Sequence, residues 1–171
     1  MDIVISTDTN VWIDFSHVRR LSWPFKLPFT FVIEADTLAT ELRNPEELRR
    51  LGLVPTDINI QETLTAIRFA GQYRALSRYD CAALAIAYER RIPLLTGDGA
   101  LRKTAEKLGV KVFGTIWILD RLSEYKLIEP EDMLMCFRDL KQANHGRVRL
   151  PDRVLDERIQ HLSDSCRNRP F

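Results

Sequence analysis

Short runs of β-forming residues alternate with helical patterns over most of this chain, and this alternation restricts its fold more than any other feature. Ile3–Ile5 and Phe29–Ile33 are rich in β-branched and aromatic residues, which favour strands. Ile92–Thr96 and Val110–Phe113 have the same character further along the chain. Apolar runs with helices between them are typical of parallel sheets that are buried on both faces. The sequence therefore predicts an α/β domain of three layers, α/β/α, around a central and mainly parallel sheet.

The segments between these runs carry helical signatures. Asp80–Arg90 contains an alanine-rich run that is apolar on nearly every side, which predicts a buried helix packed closely on the sheet. In Gln61–Arg74, the residues Leu64, Ile67 and Ala70 recur at a spacing near the helical period. Val54–Ile60 reads as a brief extended piece. Further helices are predicted at Leu38–Arg43 (with Asp36 or Thr37 as its cap), Pro45–Leu51, Ala100–Leu108, Ile116–Leu122, Glu131–Ala143 and Asp152–Leu162.

Length and charge limit the classes of protein to which the chain can belong. Its 171 residues suit one domain with a short appendage, and we divide them into a domain at 1–128 and a C-terminal helical extension at 129–171 that packs on the same domain. The formal net charge of +1 argues against a protein that coats nucleic acid through bulk charge. A local basic surface stays compatible with it, because net charge says nothing about distribution.

Cysteine usage and hydropathy indicate a cytoplasmic protein. The three cysteines, Cys81, Cys136 and Cys166, are far apart and show no C-x-x-C spacing, so we expect neither a disulfide framework nor a zinc site. Such a pattern suits a reducing compartment. We expect no signal peptide, since the start of the chain lacks a basic region and a long apolar run. We also expect no association with membranes, because no stretch approaches the ~20 apolar residues that cross a bilayer.

Four carboxylates lie at or after the ends of predicted strands. Asp8 follows the first strand, Asp98 follows the strand that ends at Thr96, Asp80 opens the alanine-rich helix, and Glu41 lies on the helix after the second strand. In an open parallel sheet, function concentrates beyond the carboxyl ends of the strands. Grouped carboxylates repel one another, and a fold tolerates them when a hard cation such as Mg²⁺ or Mn²⁺ neutralises them. The pattern thus favours a metal-dependent phosphodiester hydrolase.

Each of the four also has a purely structural interpretation. Asp8 or Thr9 can cap the helix that begins near Val11. Ser77 and Asp80 have the spacing of a capping box, Asp98 can be the N-cap of the helix after it, and Glu41 can be a solvated helix charge.

Three segments resemble the PIN-domain family. "IVISTDTNVWIDF" (3–15) is similar to the opening of these proteins, which is a strand that ends in Asp, followed by Thr or Ser, Asn and an apolar helix. "LSRYDCAALAIA" (76–87) resembles their third acidic position at the head of an alanine-rich helix. "IPLLTGDGALRKTAEKLGVKVFGTIWILDRL" (92–122) is the most specific match, with its strand, T-x-D, helix and Gly-Val turn. The resemblance spans roughly residues 3 to 128.

The resemblance implies a set of site residues and a cofactor. Asp8, Glu41, Asp80 and Asp98 would be catalytic, with Asp8, Asp80 and Asp98 as ligands of Mg²⁺ or Mn²⁺. Glu34 and Asp36 are neighbouring rivals of Glu41, which we prefer because "TLATEL" (37–42) looks like the family's helical segment. Asn10 and Thr96 would be supporting polar residues. Arg102, one turn beyond Asp98, is a candidate contact for a substrate phosphate or a solvated helix arginine.

The resemblance also implies an activity and partners. The implied activity is cleavage of single-stranded RNA by a metal-activated water. Many bacterial and archaeal members are toxins, so the resemblance also implies a toxin role, an antitoxin protein as partner and a homodimeric state. Pro45–Arg74 and the C-terminal extension depart from the compact toxin pattern.

Other classes of protein remain as alternatives. A catalytically silent PIN domain would act as a scaffold that binds RNA or protein. A haloacid-dehalogenase-like phosphatase needs Asp-x-Asp after the first strand, where this chain has Asn10. The absence of a Gly-x-x-x-x-Gly-Lys loop disfavours a P-loop NTPase, and the histidines fall outside the acidic set.

Overall fold

The chain folds as an α/β protein, as the alternation of strand and helix patterns predicts. A computed structural model describes residues 3–146 and 148–167. The strands are β1 (Ile3–Thr7), β2 (Phe29–Glu34), β3 (Val54–Thr56), β4 (Leu94–Leu95) and β5 (Val112–Phe113). The helices in the described residues are α1 (Asn10–His17), α2 (Ala35–Glu41), α3 (Pro45–Leu51), α4 (Ile60–Gln72), α5 (Arg78–Arg90), α6 (Gly99–Lys107), α7 (Thr115–Glu124), α8 (Pro130–Ala143) and α9 (Asp152–Arg167).

All five strands run parallel in the order β3-β2-β1-β4-β5. The predicted three-layer α/β class is therefore confirmed, with an all-parallel sheet in place of a mainly parallel one. The chain leaves β1 towards β2 on one side and returns to β4 on the other side. The strand order thus reverses between β1 and β4, and ligands of open parallel sheets bind beyond the carboxyl ends of the strands at such a switch point.

The alanine-rich helix α5 is buried, as its composition predicts. Its residues Cys81–Ala87 are all buried. The Ser6 hydroxyl of β1 donates a hydrogen bond of 2.9 Å to the carbonyl oxygen of Ala83. Small side chains permit this close approach of helix and strand, and the helix thereby holds Asp80 at the carboxyl edge of the sheet.

The predicted bounds of α2 are wrong at its amino end. The helix begins at Ala35, and its N-cap is Glu34, whose carboxylate accepts hydrogen bonds from the backbone N–H and the hydroxyl of Thr37. Neither Asp36 nor Thr37 is the cap. The predicted end at Arg43 is wrong as well, because the helix ends at Glu41 and its C-cap residue, Leu42, is extended.

The apolar recurrence in α4 does not mark its buried face. Leu64 and Ile67 are 57% and 63% exposed, whereas Phe69 is 1% exposed. Phe69 packs against Tyr73 and Tyr88. The helix therefore buries the face that carries Phe69, because a large aromatic side chain gains more from burial than the aliphatic residues on the other face.

Elsewhere the helices follow the predicted pattern, with small differences at their ends. Gly109 follows α6 and its C-cap residue and has a φ of +76°. The three cysteines are free, and Cys81 and Cys136 are buried. In the described residues, every helix is too short or too polar to cross a membrane.

The chain comprises two compact units. One consists of the residues up to Val11 together with Pro28–Thr115, and it contains the whole sheet. The other consists of Trp12–Leu27 together with the residues from Ile116 onwards. The predicted division at residue 128 does not coincide with these units and stays a prediction.

Candidate active site

Asp8 lies at the centre of the candidate site, directly after β1. It is 2% exposed. One oxygen, Oδ1, accepts a hydrogen bond of 2.6 Å from the backbone N–H of Thr9. The other, Oδ2, accepts bonds from the Asn10 side chain at 2.9 Å and from the Thr96 hydroxyl at 2.8 Å. Both predicted supporting residues therefore contact Asp8.

Burial raises the pKa of Asp8 above the ordinary value of an aspartate. The negative charge of Asp80 raises this pKa further, whereas the hydrogen bonds from Thr96, Thr9 and Asn10 lower it. Desolvation is the largest of these effects. A carboxylate in this position is thus held in a well-defined orientation but costs free energy when it is charged.

Thr9 joins Glu41 to Asp8. Its hydroxyl oxygen lies 3.4 Å from Asp8 Oδ1 and 3.2 Å from Glu41 Oε2. The pKa of Glu41 is raised by partial burial and then by the charges of Asp8 and Asp80, and the bond from Thr9 lowers it. Glu41 is therefore close enough to Asp8 and Asp80 for their charges to interact.

Glu34 and Asp36, the two alternatives to Glu41, each interact with a residue outside the acidic group. Glu34 caps α2 through Thr37. Asp36 pairs with Arg78 on the surface. Of the three acidic residues that the sequence offers for this position, Glu41 is the one that shares a hydrogen-bonding partner with Asp8.

Asp80 and Asp98 serve as helix caps at the same edge. Asp80 and Ser77 form the capping box that their spacing predicts, with bonds of 2.7 and 3.1 Å. Asp98 is the N-cap of α6 and accepts a bond of 2.7 Å from the backbone N–H of Leu101. Its own N–H donates to the Thr96 hydroxyl at 3.0 Å. Thr96 thus connects Asp98 to Asp8. Asp80 and Asp98 therefore stabilise the starts of their helices and also belong to the acidic group.

The Arg102 side chain forms hydrogen bonds with backbone carbonyls at the carboxyl ends of β4 and β5. Its Nη2 donates to the carbonyl oxygens of Thr96 and Phe113 at 3.2 and 3.3 Å. Thr96 directly follows β4, and Phe113 is the last residue of the neighbouring strand β5. Its side chain is part-exposed, and Nη1 lies 3.8 Å from a carboxylate oxygen of Glu106.

The four acidic residues are not compensated by basic side chains. Among the residues that the structure describes, the ion pairs include none of Asp8, Glu41, Asp80 and Asp98. The partners of Asp8 are neutral donors. Negative charge therefore accumulates at this edge, where no cationic side chain from the described part of the chain forms an ion pair with it.

The donor set suits a hard dication, although its members do not form a finished cage. Over residues 3–146 and 148–167, no three His, Cys, Asp or Glu side chains stand close enough together to hold a metal ion. Asp80 and Asp98 are each held by a helix terminus, and repulsion keeps like charges apart. All four nevertheless offer oxygen ligands, which Mg²⁺ and Mn²⁺ prefer, and Glu41, Asp80 and Asp98 are at least partly accessible.

Thr9 joins the candidate site, although the sequence indicates only a possible helix cap at this position. Its hydroxyl lies between two of the acidic residues. The available signal was its position between Asp8 and Asn10, in the segment that carries the resemblance. Only the fold brings Glu41, 32 positions further along, within its reach.

An all-parallel sheet with acidic side chains beyond the carboxyl ends of its central strands defines an open α/β protein with a candidate site at that edge. The PIN-domain family matches residues 3–164, and the chain belongs to this family. PIN domains are generally nucleases, and they typically use divalent metal ions. The match includes α8 and most of α9, beyond the residue at which the resemblance in the sequence ended. No curated protein and no solved structure matches the chain.

Proposed function

We propose that this protein is an endoribonuclease that uses Mg²⁺ or Mn²⁺ to hydrolyse phosphodiester bonds of single-stranded RNA. The observation that carries the proposal is the group of four carboxylates at one sheet edge, which no described basic side chain neutralises. Burial raises the pKa values of Asp8 and Glu41, and the neighbouring carboxylates raise them further, so the charged forms of both side chains are disfavoured. A bound dication would remove this penalty, and membership of a nuclease family supports the same chemistry.

In this proposal, Asp8, Asp80 and Asp98 hold the dication, and Glu41 completes the catalytic group. The metal, when bound, lowers the pKa of an attacking water and stabilises negative charge on the phosphate. Asn10 and Thr96 hold the carboxylate of Asp8 in one orientation. Glu41, whose pKa is raised, is suited to accept a proton from the attacking water.

The biological setting is proposed on the family resemblance. We propose RNA as substrate, a toxin role with an antitoxin protein as partner, a homodimeric state and a cytoplasmic location.

Cleavage of a fluorescently labelled single-stranded RNA tests the activity. Mn²⁺ should support cleavage and EDTA should stop it. Asp8→Asn should lower the rate at least about a hundredfold, since it removes a charged ligand. Asp36→Asn is the matched control, because it removes a carboxylate on α2 that is paired with Arg78, and it should cut at the wild-type rate. Wild-type cleavage by Asp8→Asn would refute the assignment.

One observation favours a second candidate function, a catalytically silent PIN domain that binds RNA or protein. The described acidic residues do not form a ready ligand cage. Calorimetry with Mn²⁺ separates the two functions: heat of binding in the wild type that is absent in Asp8→Asn supports the nuclease, and no heat in the wild type supports the scaffold.

A further inference from the structure

Arg102 is connected to the candidate site through Thr96. The carbonyl oxygen of Thr96 accepts a bond from Arg102 Nη2, while the hydroxyl of Thr96 donates to Asp8 Oδ2 and accepts from the N–H of Asp98. Thr96 is fully buried. Any movement of its backbone therefore changes the orientation of Asp8 and the position of Asp98 together.

The same guanidinium nitrogen also holds the next strand. Arg102 Nη2 bonds to the carbonyl oxygen of Phe113, which also accepts from the N–H of Thr96 at 3.0 Å. The backbone of Arg102 is held as well, because its N–H donates to the carbonyl oxygen of Asp98 at 3.0 Å. One side chain from α6 thus ties the ends of β4 and β5 to the turn that carries Asp98.

Gly114 leaves space for this arrangement. A Cβ at position 114 would lie 3.0 Å from Arg102 Nη2 and 3.4 Å from the carbonyl oxygen of Thr96. The first distance is tighter than an ordinary contact, so a side chain there would push Arg102 Nη2 by a few tenths of an ångström. A glycine directly after Phe113 leaves room for both hydrogen bonds of Nη2.

We propose that Arg102 is a positioning residue that keeps Thr96, and through it Asp8 and Asp98, in their observed positions at the sheet edge, from which the two carboxylates would take up a dication. This inference rests on the proposed function and assigns Arg102 a role other than contact with a substrate phosphate. To reach a phosphate, Nη2 would have to leave two backbone carbonyls, one of which belongs to a fully buried residue. Such a loss is unfavourable, because buried polar groups need their partners. Nη1, which lies 3.8 Å from Glu106, is not held in this way, and the RNA affinity of Arg102→Met tests whether it contacts a phosphate.

Whether loss of Arg102 weakens or strengthens dication binding distinguishes a positioning role from an effect of its positive charge. Removing a positive charge near an acidic site strengthens dication binding through electrostatics alone. Loss of a residue that orients the ligands weakens it, typically about 10–100-fold. Arg102→Met keeps most of the apolar stem and removes the guanidinium. Lys103→Met is the matched control, since it removes the same charge from the same helix at an exposed position.

The first measurement is amide hydrogen exchange by NMR in EDTA, with the full chain and no metal. In Arg102→Met, the amides of Thr96 and Asp98 should exchange about tenfold faster, which corresponds to the loss of one hydrogen bond. In Lys103→Met they should exchange as in the wild type. Unchanged exchange of both amides in Arg102→Met overturns the inference, whatever the metal does.

The second measurement is Mn²⁺ affinity by calorimetry, together with RNA affinity by fluorescence anisotropy in EDTA. Arg102→Met should bind Mn²⁺ at least about tenfold more weakly than wild type and bind RNA like Lys103→Met. The opposite result, unchanged Mn²⁺ affinity with a specific loss of RNA affinity, overturns positioning in favour of a phosphate contact. A wild type that binds no Mn²⁺ refutes the proposed function, and hydrogen exchange then still decides the role of Arg102.

A second variant covers the case in which Arg102→Met fails to fold. Gly114→Ala pushes Arg102 Nη2 by a few tenths of an ångström relative to its two carbonyl partners and keeps the charge of the guanidinium. It should accelerate exchange of the same two amides and weaken Mn²⁺ binding several-fold. Wild-type behaviour of Gly114→Ala in both measurements contradicts the proposed arrangement.

Discussion

At the scale of single residues, Asp8 carries a charge where water is almost excluded. Desolvation and the charge of Asp80 raise its pKa in the folded chain. The folded state therefore holds the proton of Asp8 more tightly than the unfolded state does. Its contribution to stability is complete at low pH and is lost as the pH rises through the elevated folded-state pKa.

The variant Asp8→Asn should consequently be at least as stable as the wild type near neutral pH when metal is absent. Its advantage should shrink as the pH falls below the folded-state pKa of Asp8, where the wild-type side chain is protonated. Urea unfolding in EDTA at a series of pH values measures this difference. A variant that is much less stable than the wild type at neutral pH would show that the hydrogen bonds of Asp8 outweigh its burial cost.

Glu41 and Glu34 should respond differently to the same substitution. Glu41→Gln removes a charge beside Asp8 and should weaken Mn²⁺ binding with little effect on folding. Glu34→Gln weakens the cap of α2, which should cost about 0.5–2 kcal/mol of stability, and leaves the acidic group intact. Calorimetry and urea unfolding on both variants test this, and a reversed outcome would transfer the site role to Glu34.

At the scale of elements, α4 shows how packing chooses between two faces of a helix. Besides Phe69, its buried face carries Glu62, which is paired with Arg90 of α5 at 2.6 Å, and Thr65, which donates to Glu89 at 2.6 Å. The exposed face carries Ile60, Leu64 and Ile67. Polar residues occupy the buried face because partners on α5 satisfy them.

Substitutions on the two faces of α4 should differ sharply in their cost. Phe69→Ala should lower the free energy of unfolding by about 3–5 kcal/mol, because it leaves a cavity among Tyr73 and Tyr88. Leu64→Ser should change it by less than about 0.5 kcal/mol, because the side chain is more than half exposed. Chemical denaturation of both variants is the measurement. A large loss from Leu64→Ser would mean that this face is covered in solution.

At the scale of the whole molecule, metal binding should be coupled to stability. A ligand that binds only the folded state adds about 2.7 kcal/mol at a concentration of 100 times its Kd. Saturating Mn²⁺ should therefore raise the Tm of the wild type and leave that of Asp8→Asn nearly unchanged. Thermal scans with Mn²⁺, and with Ca²⁺ as a second oxygen-seeking cation, measure the shift. Equal shifts in wild type and variant would place the bound metal outside the acidic group.

The C-terminal helices should be needed for folding. The compact unit that contains α8 also contains Trp12–Leu27, and Arg20 pairs with Asp139 at 2.8 Å. In α8, Met133, Cys136, Phe137 and Leu140 are buried. A chain cut after residue 128 loses these apolar partners, and we expect it to show no cooperative unfolding transition by circular dichroism. A cooperative transition in this fragment would support an independent domain at 1–128.

Much of the candidate site was predictable because its residues follow local rules. Asp8 and Asp98 come directly after strands whose composition marks them, and the spacing of Ser77 and Asp80 predicts a capping box that the structure contains. The bounds of α2 were not predictable, because Glu34 and Asp36 are both reasonable caps. The choice depends on the hydrogen bonds that Glu34 makes once β2 is in place.

The strand and helix pattern, the mainly parallel sheet, the PIN-domain resemblance and the acidic candidates near the strand ends can all be read from the sequence alone. These properties depend on short-range periodicity and on residues next to one another in the chain. Only the tertiary structure decided that Glu41, through Thr9, is the partner of Asp8, that α4 buries Phe69, and that Arg102 faces backbone carbonyls. Those outcomes depend on contacts between segments that are far apart in the chain. The competing contacts have similar free energies, so no local sequence pattern indicates which of them forms.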